Sequence, residues 1–314
     1  MESNTPIVLF NSIAAGGLAL LLATLFPAML STSIHRSKTW FSMIVSWIVY
    51  ALSYILILGH QSGPQPPPGI CVLQMMFVYS TPPLTAISGL AFIVDVHFRI
   101  TKTLFANGAD HKSTHLMLFG PWALFAVVVG ETVVVVQDFA DIQRNPSGMY
   151  CHSNAGVQLV TPFGNTTITH SRMSNLRRYL VAAGICAIGL GTALCMIIWT
   201  TVIVCRNWAL FRHLSTNMTE RELRLSSLIR IMLFTMMATI GLGLSVSGAT
   251  SFAGNVAVWN IFLPLLPFMC GIAFGTQKDI IRCWMFWKRR TDKVTPDTCP
   301  HNSKDELVGP MDTV

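Results

Sequence analysis

The stretch "FGTQKDIIRCWMFWKRR", residues 274–290, leaves a long apolar run through one charged pair, Lys278 and Asp279, and then continues half apolar and half basic. An ordinary loop would stay polar after such an exit. Here Ile280, Ile281, Trp284, Met285 and Trp287 can form one face of a helix, with Arg282, Lys288, Arg289 and Arg290 set to meet lipid headgroups. The pattern predicts a short interfacial helix over 278–290, lying on the membrane just beyond the exit of a transmembrane span.

Working back from this exit, uncharged windows recur near 7–30, 40–60, 71–94, 117–137, 179–205, 231–251 and 256–276. Each has about the 20 residues that a bilayer core of roughly 30 Å requires. Composition agrees, since 52% hydrophobic residues, 11% charged residues and a mean hydropathy of +0.54 lie well outside the range of soluble globular domains. In hydrocarbon every backbone amide must be satisfied within its own segment, so runs of this length read as helices. The expected fold is an all-α membrane protein. It comprises a seven-transmembrane helix bundle over 1–277, the interfacial helix over 278–290 and a disordered polar tail over 291–314.

The first window is expected to remain as a span, because no Lys or Arg precedes it and it exceeds the apolar core of a cleaved signal peptide. The internal "KDEL" at 304–307 is followed by further residues and is not expected to act as a retention signal. Of the 21 basic residues, 17 fall on one side of the spans and four, Arg144, Arg172, Arg177 and Arg178, on the other. Basic residues near span ends are retained in the cytoplasm. The expected location is therefore the plasma membrane, with the amino terminus outside and the carboxyl terminus cytoplasmic. The net charge of +7 flanks spans instead of forming a basic domain, so the expected partner is the lipid bilayer and not nucleic acid.

This topology sets Cys71 at the outer start of the third span and Cys151 in the outer loop 138–178. Both face an oxidising compartment, and a disulfide between them would pin the loop to the top of a helix. Asn165 opens the sequon Asn165-Thr166-Thr167 in the same loop and is the expected glycosylation site. Cys283, in the interfacial helix, has the juxtamembrane position of a palmitoylated cysteine, with an unmodified buried thiol as the equal alternative.

Charge inside the spans is rare. Glu131, in "VVVGETVVVV", is the one carboxylate well within a window, where it reads either as a functional group or as a structural contact to a neighbouring helix. At the cytoplasmic end of the third span, "FIVDVHFRI" sets Asp95 and Arg99 four residues apart on one helical face. Pro82, Pro83, Pro121, Pro264 and Pro267 each remove a helix hydrogen bond, which kinks helices and opens space between them.

These features exclude several function classes. Rhodopsin-type light chemistry needs a mid-span lysine in the seventh helix, and 256–277 contains none. His60, His97, His111, His115 and His152 all fall at span ends or in loops, so no catalytic constellation is visible and no metal or cofactor is expected. A transporter or channel using Glu131 in a polar path is the alternative to a receptor, although transporters normally show internal repeats and several intramembrane charges.

Three stretches, "SKTWFSMIVSWIVYALSYILILGHQ" at 37–61, "PPPGICVLQ" at 66–74 and above all "FGTQKDIIRCW" at 274–284, carry a family resemblance. The chain resembles the seven-helix G-protein-coupled receptors of mushroom-forming fungi related to a-factor-type pheromone receptors. The resemblance implies a sensor of an extracellular ligand, either a pheromone or a small lipophilic molecule, that signals to a heterotrimeric G protein. Its inner surface would be formed by Asp95, Arg99, Lys102, Arg224 in the loop 205–230, Lys278, Asp279 and Arg282.

Overall fold

A computed structural model of the chain describes residues 5–31, 36–105, 114–135, 142–145, 147–153, 170–208, 229–237, 239 and 256–284. The described residues are mostly helical. The helices are α1 (Thr5–Leu30), α2 (Lys38–Ile55), α3 (Pro68–Phe105), α4 (Thr114–Val135), α5 (His170–Arg206), α6 (229–237), α7 (Val256–Gly275) and α8 (Lys278–Trp284). Two short strands, β1 (Ile142–Arg144) and β2 (Cys151–Ser153), pair antiparallel with Arg144 opposite Cys151.

Among the described residues, four helices are long and apolar enough to cross a membrane, within Thr5–Leu30, Pro68–Lys102, His115–Val134 and Gly184–Arg206. Asn260–Gly275 is a shorter apolar helix. Large apolar side chains on α4 and α5 point outward, Leu116 being 73% exposed and Ile188 72%. An outer surface this apolar is stable against lipid and not against water. The molecule is thus a membrane-embedded helical protein.

Helix starts follow local chemistry. Ser37 caps α2 by accepting a hydrogen bond from the Trp40 amide at 3.2 Å. Pro68 opens α3, where a missing N–H costs nothing. The helices run on through Pro27, Pro82, Pro83, Pro121, Pro264 and Pro267. Hydroxyls beside them bond to backbone carbonyls, as Thr85 does to Pro82 O at 2.9 Å.

Helix α2 is the most enclosed element. Its aromatic and apolar residues Trp40, Met43, Trp47, Tyr50 and Tyr54 recur in steps of three or four and are all buried. Its serines bond to neighbours, Ser46 receiving the Ser88 hydroxyl at 2.7 Å and Ser42 the Trp122 indole N–H at 2.9 Å. Helix α3 packs on α2, α4 and α5, and α1 lies between α2 and α7.

Three boundaries differ from the sequence expectation. Helix α2 ends at Ile55 and turns through Gly59, whose φ of 87° suits glycine, so the span does not reach residue 60. Helix α3 continues past residue 94 to Phe105, and α5 begins at His170, inside what was expected to be loop. Polar residues lengthen a helix beyond the membrane without changing the apolar window, so hydropathy alone stops short of these ends.

Candidate functional site

The end of the bundle that carries Cys71 and Cys151 is a built cap. Cys71 and Cys151 form a disulfide with Cα atoms 5.3 Å apart, and the Cys151 amide donates to Gln74 Oε1 at 2.9 Å. Arg144 reaches from β1 to the link after α2. Its guanidinium donates to the carbonyls of His60 and Gly63, both at 2.8 Å, and its amide to Gln65 Oε1 at 3.2 Å. Gln61 bonds Asn11 of α1 through both amide groups. Asn260 of α7 donates to Ser147 Oγ at 3.0 Å and accepts from the Tyr150 hydroxyl at 3.5 Å. Burial pushes the Tyr150 hydroxyl above the usual phenol range, partly offset by a hydrogen bond with the Asn145 side chain, so it stays a donor at neutral pH.

The cap therefore joins the tops of α1, α3 and α7. Arg144→Ala is expected to loosen it by about 1–2 kcal/mol, because several carbonyls lose a charged donor at once but water partly replaces it. Amide hydrogen exchange across 60–65 would register the change, and unaltered protection there would contradict the assignment.

Beneath the cap, α2, α3, α5, α6 and α7 enclose a cavity of about 240 Å³. Tyr50, Pro82 and Cys186 lie toward one end of its wall and Met43, Ile93 and Phe274 toward the other. Among the described residues, no charged side chain lines it. Phe274 packs on Phe234 and Phe92 with ring centroids 5.9 and 6.2 Å apart, all three in the cavity wall, and Asp95 follows Ile93 by two residues.

The end away from the cap collects several of the residues expected at the cytoplasmic side. Asp95 accepts from Thr39 Oγ1 at 2.6 Å and from Arg99 Nε at 3.3 Å, so it ties α3 to α2 as well as pairing along its own helix. Asp279, expected at a protein-facing surface, pairs inward with Arg36 at 3.7 Å. Arg36 also lies 5.8 Å over the Trp40 ring. His97 Nδ1 and Thr200 Oγ1, 2.8 Å apart, link α3 to α5. Lys102 is exposed in the last turn of α3.

Lys278 and Arg282 lie on the backbone of α8, which is described only to Trp284 of the expected 278–290. Ile280 faces the bundle and is buried, while Ile281 and Trp284 are exposed. Trp284 Nε1 donates to the Ala23 carbonyl of α1 at 3.0 Å, and Cys283 packs partly buried against the core. Arg224 and Asn165 lie outside the described residues.

Glu131 is exposed on α4, four residues from its end, and does not line the cavity. A helix that is apolar all round gives no clue to its rotation, so composition could not tell which way Glu131 faces.

Sequence reasoning assigned no role to Trp47 or Tyr50, which form a wall of the cavity, or to Asn260 and Arg36. The three- and four-residue recurrence of aromatics in α2 was the available signal for the first two. The pairing of Arg36 with Asp279 had none, because 243 residues separate them. Compared with known proteins, the chain matches no protein-family model and no curated protein.

Proposed function

We propose that the chain is a seven-helix receptor of the plasma membrane, amino terminus outside and carboxyl terminus cytoplasmic. It binds a pheromone or small lipophilic molecule and signals to a heterotrimeric G protein. The observation that carries this reading is the cavity of about 240 Å³, uncharged among the described residues, whose wall stops two residues short of the Asp95 contacts with Thr39 and Arg99. A ligand that prefers one arrangement of Phe92, Phe234 and Phe274 shifts the population of inner-end arrangements by its difference in affinity. The asymmetry of basic residues and the resemblance of 37–61, 66–74 and 274–284 to the fungal receptors support the same reading.

A transport path through Glu131 has less support, since that side chain is exposed and lies outside the cavity wall. Nucleotide exchange on G-protein α subunits, driven by the purified protein in nanodiscs, tests the proposal. Exchange above that of empty discs is expected, and it should fall in Arg99→Ala and in the Lys278→Ala/Arg282→Ala double variant. Absence of exchange with candidate pheromones and lipid extracts added would count against coupling.

A further inference from the structure

Pro27 lies inside α1. In an α-helix each carbonyl accepts from the N–H four residues on, and proline has none, so the Ala23 carbonyl lacks its ordinary helical partner. The proline ring also crowds that carbonyl and tilts it away from the helix axis. Lipid offers no donor to replace the lost one. The replacement comes from a residue 261 positions away, Trp284, whose Nε1 donates to the Ala23 carbonyl at 3.0 Å.

Helix α8, which carries Trp284, has seven residues. Isolated helices below about 12–15 residues are marginal, so the position of α8 depends on what fastens it. It is fastened at both ends. Asp279 in its first turn pairs with Arg36 of the α1–α2 link at 3.7 Å, and Trp284 at its far end reaches α1. Ile280 is buried and Cys283 half-buried against the bundle, whereas Ile281 and Trp284 are exposed. Only Thr276 and Gln277 separate α8 from α7, and Phe274 of α7 lines the cavity.

We propose that Pro27 and Trp284 form a latch: the carbonyl that Pro27 leaves free is the docking point of Trp284, and α8 leaves and regains α1 as this hydrogen bond opens and closes. One neutral hydrogen bond shifts such an equilibrium about three- to tenfold, enough to favour the docked position and little enough for reversible release. Lys278 and Arg282 belong to the backbone of α8, so release moves both relative to α1. In the receptor reading these two form part of the coupling surface, and the latch then sets how that surface is presented.

The test follows amide exchange of residues 279–284 in the full chain in nanodiscs. It uses neither ligand nor G protein, so failure of the coupling reading leaves it unaffected. Trp284→Phe removes the donor and should speed exchange about three- to tenfold, the value of one neutral hydrogen bond. Pro27→Ala should do the same by a different route, because it returns an N–H to the Ala23 carbonyl and lets that carbonyl turn back to the helix axis. The double variant should exchange no faster than the faster single one, since both changes break one contact. Trp199→Phe, exposed on α5, is the control and should leave exchange unchanged.

Unchanged exchange in Trp284→Phe overturns the latch whether or not Pro27→Ala folds. Multiplication of the two single effects in the double variant overturns the shared contact, and equal speeding in Trp199→Phe overturns the assignment to Trp284. A second readout follows the donor itself. With nitrogen-labelled indoles, the Trp284 N–H resonance is identified by its loss in Trp284→Phe, and it should move upfield in Pro27→Ala as the N–H loses its carbonyl. A resonance that stays in place overturns the dependence on Pro27.

Discussion

Cys151→Ser is expected to lower the unfolding midpoint of the protein in nanodiscs more than any exposed substitution, and reductant should do the same to the wild-type chain. The bond closes 80 residues of sequence, for which chain entropy gives about 4.5 kcal/mol. That is an upper figure, because helices already inserted in a bilayer hold the loop ends closer together than a free chain does. Further loss comes from packing, since Cys71 and Cys151 are both buried and touch Ile57, Met75 and Ile142. The decisive comparison is additivity. Reductant should have no further effect on Cys151→Ser, and a variant that melts with the wild type would remove the disulfide from the account of the cap.

The second large effect is expected where α1 meets α7. A Cβ on Gly271 would stand 2.7 Å from Leu20 Cβ, and one on Gly17 would stand 2.9 Å from the Phe268 backbone nitrogen. Gly275 is equally close to Thr24 Oγ1, at 2.7 Å. Small residues let the two backbones approach, which is how helices gain packing energy when lipid removes the hydrophobic incentive to associate. Gly17→Val is therefore expected to cost about 3 kcal/mol or more, because the obstacle is backbone and cannot rotate aside. Gly191→Ala is the matched control, with nothing within 4 Å of its added carbon. Folded yield on size exclusion and the melting midpoint would separate the two. Equal tolerance of both changes would mean that α1 and α7 are not held this closely.

Some of this was legible in the chain. The oxidising side assigned from the basic-residue count brought Cys71 and Cys151 together, and they are bonded. The spacing of Asp95 and Arg99 placed them on one helical face, and they pair there at 3.3 Å. Prolines were expected to open space between helices, and Pro82 does line the cavity, whereas Pro264 and Pro267 do not. Helix α2 was harder to read, because its serines and aromatics dilute its hydropathy for the same reason that they suit it to a centre surrounded by protein. Asp279 read as a surface residue, since nothing near it in sequence announces Arg36.

By itself, then, the sequence determined that this is a helical membrane protein, roughly where its apolar segments lie, and which cysteines could meet. Those properties depend on local hydropathy and on the chemistry of the two membrane faces, both of which are written residue by residue. Only the tertiary structure decided how each helix is rotated. Rotation turned Trp47 and Tyr50 to a shared cavity and Glu131 outward, and it set Gly17 against Phe268. It is fixed by the packing of residues far apart in the chain, and a helix that is apolar on every side carries no local record of its neighbours.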